Sequence, residues 1–518
     1  MHATSRQRYA VSLLPSRLLI YQEDAPAFQL RALASNTARF KSPLEKVSRR
    51  KKKVYFSRKP APNGTQSPIV IESDMMPIST AALSLSRLPL CVSLASLLLA
   101  AAAVELDDAV KTLRKAAVEE AAWSVDESAS ECYLSSSEPC LLADMPEGAS
   151  TLVYTGGDTQ CIFEDSTPYR FQVVRGDPGK LVLYFQGGGA CWNEASTMLG
   201  LCSTDANPSS LIGMFSRDAE DNPRFWNHTF VQVLYCSGDV HGGNSTRSYV
   251  QHTTGGPVTQ VGAINTAAVL DWLAEQKLGT LDELVVAGCS AGSVGAQVWA
   301  DVVLSTVPSR SSAMLFDSFT GLFPPTSQGP LIKDFGLCGS DILVAWPELE
   351  AKCEANELTL QDMVGAWLGA HPDAPFAHLN SKTDEVQESY YVAIGALNRS
   401  LDAFITPRAY YKGINEIYEG YHAFPNHVAF LVDSSQHCYT NTPLFATAST
   451  TGLTGQPVGA ERMQDWVGAL PLDASRAGGT NLTWACAGDR LFLDNATAED
   501  ASPDSYCDAL LTGRVIMA

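Results

Sequence analysis

Short apolar runs recur through the middle of the chain, and each gives way to glycine or polar residues. Leu181–Phe185, Phe230–Tyr235, Leu284–Ala287, Ala313–Phe316 and Val428–Val432 are four to six residues of aliphatic, aromatic and β-branched character, the pattern of strands buried on both faces. Pro375–Leu379 is a shorter run of the same kind. Between these runs, Val261–Gln276, about Ser293–Leu304 and Val386–Leu397 space their apolar residues as helices do. Strand and helix alternate, which predicts an α/β fold: a doubly wound, mostly parallel sheet with helices on both faces. One local signal points elsewhere. Phe171–Arg175 and Leu181–Phe185 flank Gly176-Asp177-Pro178-Gly179, and turn residues between two β-rich runs predict a hairpin.

The pattern fails upstream of residue 150. Residues 104–150 are acidic and rich in Ala and Ser, with a short helix predicted over Asp107–Ala122 and no core of their own, so they read as a linker or cap to a catalytic domain over 151–518. Before them, Leu88–Ala103 is an apolar stretch preceded by Arg87 and ending in small residues, the layout of a signal peptide that would occupy 76–103. A secretory signal belongs near a starting methionine, and Met75 and Met76 sit at that distance. Residues 1–75, with the basic run Arg49–Lys53, then read as a disordered or gene-model extension. The alternative is an uncleaved signal anchor with a basic tail.

Charge sharpens this division. Residues 1–75 hold 14 Lys and Arg against 5 Asp and Glu, leaving 22 against 51 in the rest of a chain whose formal net charge is −20. So acidic a body is not built to hold nucleic acid or anionic lipid. Setting aside Cys91 in the signal, twelve of the 13 cysteines remain, an even set without a CxxC pair, which suits disulfides in an oxidising compartment better than a zinc site. Asn227, Asn244, Asn398, Asn481 and Asn495 begin Asn-x-Ser/Thr sequons. A secreted, disulfide-stabilised protein is expected, with no membrane attachment once the signal is removed.

In open α/β sheets, reactive groups gather at the carboxyl ends of the strands. There the sequence places Gly187-Gly188-Gly189-Ala190-Cys191-Trp192, Cys236–Gly243, Gly288-Cys289-Ser290-Ala291-Gly292, Asp317, and Asp433–His437. Ser290 lies between an apolar strand and a helix with a glycine two residues to either side, the requirement for a nucleophile on a sharp strand-to-helix turn. The triple glycine lets the N–H groups of Gly189 and Ala190 join that of Ala291 around an oxyanion. His427 opens its strand and so lies at the wrong edge, whereas His437 lies just beyond the same strand, where a base belongs. The acid is open between Asp317, which ends a strand, and Asp384, in Asn380–Gln387. Either could instead cap a helix. Asp239 and His241 offer two metal ligands without a third, so a hydrogen-bonded loop is the expectation there.

Taken together, Gly187–Trp192, Tyr235–Asp239 with His241, Gly288–Gly292, Asp384–Gln387 and Gln436–Cys438 resemble the pectin acetylesterase/Notum family of secreted carboxylesterases, in consistent order over roughly residues 150–445. The resemblance implies an α/β-hydrolase-like fold and assigns Asp384 as the acid, with Asp317 the runner-up. It implies a cofactor-free Ser-His-Asp esterase that removes O-acetyl groups from a polysaccharide, or, alternatively, a fatty acyl group from a secreted protein. Two positions depart from plant members: Ala190 stands where they carry Trp, and Ser293 where they carry Gly. A non-catalytic binding protein on the same fold would be expected to have a broken triad.

Overall fold

The structure is a computed structural model that describes residues 9–14, 17–22, 103–116, 129–249, 257–398, 403–421, 423–454, 460–470 and 485–486. Two units divide at residue 83. In the first, β1 (Tyr9–Leu14) and β2 (Arg17–Gln22) pair antiparallel. The expected signal peptide lies outside the described residues up to residue 102. Among the described residues, no helix is long and apolar enough to cross a membrane.

The second unit is built on a nine-stranded sheet. Its strands are β3 (Ser130–Tyr133), β4 (Ser150–Tyr154), β5 (Arg170–Val174), β6 (Asp177–Phe185), β7 (His228–Val233), and then, after a small ribbon of β8 (Ser245–Arg247) and β9 (Val258–Gln260), β10 (Glu283–Cys289), β11 (Ser312–Asp317), β12 (Phe376–Ser381) and β13 (His427–Val432). Across the sheet the order is β13-β12-β11-β10-β6-β7-β5-β4-β3. The six strands from β13 to β7 run parallel, and β5 runs antiparallel to both its neighbours. This is the α/β-hydrolase arrangement expected from the sequence.

The expected hairpin does not form. Only two residues separate β5 from β6, yet β5 pairs with β7, which sits between them. The turn chemistry of Gly176–Gly179 is real, but it is local. β7 is buried along its whole length, so it must be flanked on both edges, and it takes both β5 and β6 as partners. The segment expected to be a linker also contributes, because β3 pairs parallel with β4 at the edge of the sheet.

Strand alternation sends side chains into two cores. From β6, Leu181, Leu183 and Phe185 join one cluster while Val182 and Tyr184 join the other. The first is covered by the helices Gly262–Glu275, Ala291–Thr306, Leu360–Ala370 and Pro407–Tyr421, the second by Met463–Ala469 and the loop containing Phe215 and Phe225. Among the described residues, five disulfides tie the unit: Cys132–Cys140, Cys161–Cys236, Cys191–Cys202, Cys289–Cys438 and Cys338–Cys353.

Candidate active site

Ser290 follows β10 directly and opens the helix Ala291–Thr306 with φ 59° and ψ −125°. A non-glycine residue is costly at such angles, and the strain is held by its surroundings. Ser290 N–H donates to the Asp317 carbonyl at 3.0 Å, fixing the turn to the end of β11. A Cβ on Gly288 would strike the Gly292 carbonyl, and one on Gly292 would strike the Phe185 carbonyl, so the glycines are needed for the turn to lie against β6.

The two remaining candidates come from neighbouring strand ends. The loops after β12 and β13 are stitched together by Lys382 N–H to Val432 O (3.0 Å) and Glu385 N–H to Ser435 O (3.2 Å). This seam brings Asp384 to His437, whose Nδ1 lies 2.8 Å from Oδ2 and 3.0 Å from Oδ1. Asp384 is wholly buried, caps the helix Glu385–Leu397 through Val386 and Gln387 N–H, and accepts from Gln387 Nε2 at 2.9 Å. An ionised carboxylate only accepts, so His437 carries its proton on Nδ1 and presents Nε2 as the acceptor. Glu388, one helical turn on, is pushed up to about 7 by burial, Asp384 and Glu385.

Asp317 goes elsewhere. Its Oδ2 accepts from Tyr439 N–H (2.8 Å), Thr440 N–H (2.7 Å) and Thr440 Oγ1 (2.8 Å), and its Oδ1 from Ser318 Oγ (2.8 Å). It anchors the chain just after His437 without touching the ring, and burial pushes its carboxyl above the usual range. The disulfide Cys289–Cys438 adds a second tether, since its cysteines immediately precede Ser290 and follow His437.

Around the glycine loop the structure departs from expectation at one donor. Ala190 N–H donates to the Leu201 carbonyl at 3.0 Å and lies 3.3 Å from the Tyr390 hydroxyl, because Gly189 pairs with Cys202 in a β-bridge beside the Cys191–Cys202 disulfide. Gly189 and Ala291 remain the candidate N–H donors to an oxyanion. The loop is braced from below: Tyr235 O–H donates to Gly189 O at 2.9 Å, and His241 Nε2 lies 2.8 Å from Gln186 O. Burial pushes His241 down to about 4, so it is neutral here. Asp239 accepts from Ser237 Oγ (2.6 Å) and Gly262 N–H (2.7 Å). Asp239 and His241 are therefore loop scaffolding. His427 lies buried against His378, with Nε2 and Nδ1 3.0 Å apart, away from these groups.

Two cavities meet at Gly189, Ser290, Tyr390 and His437. One, of about 90 Å³, is walled by Phe319, Phe323, Leu331, Phe335 and Met363. The other, of about 520 Å³, has polar groups and the helix 103–116 in its wall. Tyr390 was not singled out from sequence, and the helix, expected over Asp107–Ala122, was read only as part of a linker or cap. An aromatic on a predicted helix carries no mark of what it faces.

The chain is similar to known proteins over part of its length. Residues 164–328, which span the glycine loop and Ser290, match the Pectinacetylesterase family. The palmitoleoyl-protein carboxylesterase notum1a of Danio rerio is 30% identical over 155 residues, 28% of this chain and 30% of that protein. Pectin acetylesterase 5 of Arabidopsis thaliana is 25% identical over 184 residues, 34% and 42% of the two chains. The matched stretches thus span about a third of the length of these relatives. Among solved structures, the Wnt deacylase Notum from Drosophila aligns at 17% identity with a TM-score of 0.38, over 55% of this chain and 83% of that one. Over the stretch that holds the glycine loop and Ser290, the chain is thus similar to the pectin acetylesterase/Notum family of carboxylesterases.

Proposed function

We propose that this chain is a secreted serine carboxylesterase in which Ser290 is the nucleophile, His437 the base and Asp384 the acid. The observation that carries the reading is the meeting of a strained Ser290 with an Asp384-oriented His437 at the junction of the two cavities. Ser290 Oγ attacks the ester carbonyl carbon as His437 Nε2 takes its proton. The resulting oxyanion is held by Gly189 and Ala291 N–H, the latter at a helix N-terminus where negative charge is favoured. The carbonyl re-forms, the ester C–O bond breaks, and His437 returns the proton to the departing alcohol. Water then gives its proton to His437 and attacks the acyl-enzyme, releasing the acid and restoring Ser290. Asp384 keeps the imidazole in the required tautomer and stabilises the imidazolium.

The narrow apolar cavity favours an acyl group larger than acetyl. At about 30 Å³ for each water-sized group, about 90 Å³ holds a short chain rather than one methyl. This moves the preferred reading from O-acetyl removal toward the longer-chain deacylation named for the Notum relatives. Hydrolysis of ethyl esters from acetate to palmitoleate tests it: kcat/KM is expected to peak at a chain longer than acetate. A maximum at acetate would restore the acetylesterase reading.

A further inference from the structure

We propose that the buried ion pair of Lys382 and Asp433 is a positioning device for the triad, fixing the spacing of the two loops that carry Asp384 and His437. The inference rests on the triad reading above and concerns two residues to which that reading gives no part.

Lys382 is fully buried, which is rare for a lysine that is not paired. Its Nζ lies 2.5 Å from Asp433 Oδ1 and 5.6 Å from the centre of the Tyr411 ring, on the helix Pro407–Tyr421. Asp433 is held from its other side, where its N–H donates to the Thr450 carbonyl at 3.0 Å. Such a pair contributes little to stability, because desolvating two charges offsets most of their attraction, and apolar residues of similar size serve as well. What the pair supplies is a set distance between the two backbones it joins.

Its place in the chain shows which distance that is. β12 and β13 pair in register as far as Ser381 with Val432, and Lys382 and Asp433 are the next residue on each side, where the ladder ends. Beyond them the two sides differ in length. Asp384 lies two residues past Lys382, whereas His437 lies four past Asp433. The sides meet again where His437 Nδ1 reaches Asp384. The ion pair and the triad contact thus close the two ends of one small ring. Thr383 N–H and Glu385 N–H bridge the sides to Ser434 O and Ser435 O, each at 3.2 Å, the long end of the range for such bonds. In a ring this small, a change of spacing at the charged end is passed to the imidazole, and a shift of about 1 Å there costs roughly a hundredfold in rate. Neither Lys382 nor Asp433 lines either cavity, so substrate binding is left alone.

The test compares Lys382→Met, Asp433→Asn and the double variant Lys382→Met/Asp433→Leu with wild type, by steady-state hydrolysis of ethyl octanoate and by thermal melts. Each single variant is expected to lower kcat roughly ten- to a hundredfold with KM within about twofold. The double variant should lose no more kcat than the worse single, since all three break one crosslink. It leaves no charge unpaired, so it should also melt close to wild type, which keeps the test open where a single variant fails to fold. A pair that served the fold alone would lower Tm and spare kcat below the melt. Wild-type kcat in the double variant, a loss confined to KM, or a double variant that does not fold would therefore overturn the proposal. Failure of the underlying reading looks different, because ethyl octanoate would then still be turned over by Ser290→Ala.

Discussion

Replacing Asp384 and Asp317 separately by Asn separates two carboxylates that end neighbouring strands. In Asp384→Asn the shape is kept and the helix cap survives, since Asn caps as well as Asp. The change falls on His437. An amide N–H directed at Nδ1 forces the imidazole proton onto Nε2, so the ring can no longer take a proton from Ser290. A wrong tautomer of this kind costs about 10⁴ in kcat, or roughly 5.5 kcal/mol of transition-state stabilisation at 1.36 kcal/mol per decade. Asp317→Asn should instead act on stability. Oδ2 accepts from three donors, and exchanging charge-assisted bonds for neutral ones costs about 1 kcal/mol each, some 3 kcal/mol in all. Steady-state hydrolysis of ethyl octanoate and thermal melts of both variants provide the readouts. The expected pair is an Asp384→Asn protein with near-native Tm and almost no turnover, and an Asp317→Asn protein with lowered Tm and kcat within about tenfold of wild type. The reverse pair, an inactive Asp317→Asn at native Tm beside an active Asp384→Asn, would refute the assignment.

Loss of the Cys289–Cys438 disulfide, as the paired Ser variant, should lower stability by about 2–4 kcal/mol and lower kcat more than KM, because it ties the residues beside Ser290 and His437; urea melts and steady-state kinetics read the two effects, and unchanged kcat would count against the tether. Acidification should also destabilise the fold. Burial pushes His228 and His241 down to about 4 and His378 to about 3, below the unfolded value of about 6.5, so the native state binds fewer protons than the unfolded chain as pH falls through this window. By pH 5 each costs about 2 kcal/mol, offset in part by Glu388, which, pushed up to about 7, takes up a proton in the same window, so Tm measured from pH 7 to 5 should fall; a rising Tm would contradict the burial argument.

What the sequence made legible was what is local. The strain at Ser290 follows from glycines two residues away on a strand-to-helix turn, and His437 follows from lying past the end of its strand. The acid was not legible from those rules, because Asp317 and Asp384 both follow strands. In the proposed triad the choice falls to the segment after β13, which gives its backbone N–H groups to Asp317 and its imidazole to Asp384. The misplaced hairpin has the same origin, since a turn fixes chain direction but burial chooses strand partners. Ala190 looked like an oxyanion donor by position, and a bridge closed by Cys191–Cys202 takes its N–H. The amphipathic face of the helix 103–116 is visible in its apolar spacing, but nothing in that spacing names the cavity it walls.

The claim on which the rest depends is that Ser290 becomes covalently acylated. Labelling the protein with a fluorophosphonate and locating the adduct by peptide mass spectrometry tests it directly. A single adduct on the peptide containing Ser290, absent from Ser290→Ala together with ester turnover, is the expected result. An adduct on another residue, or ester hydrolysis that survives in Ser290→Ala, would contradict it.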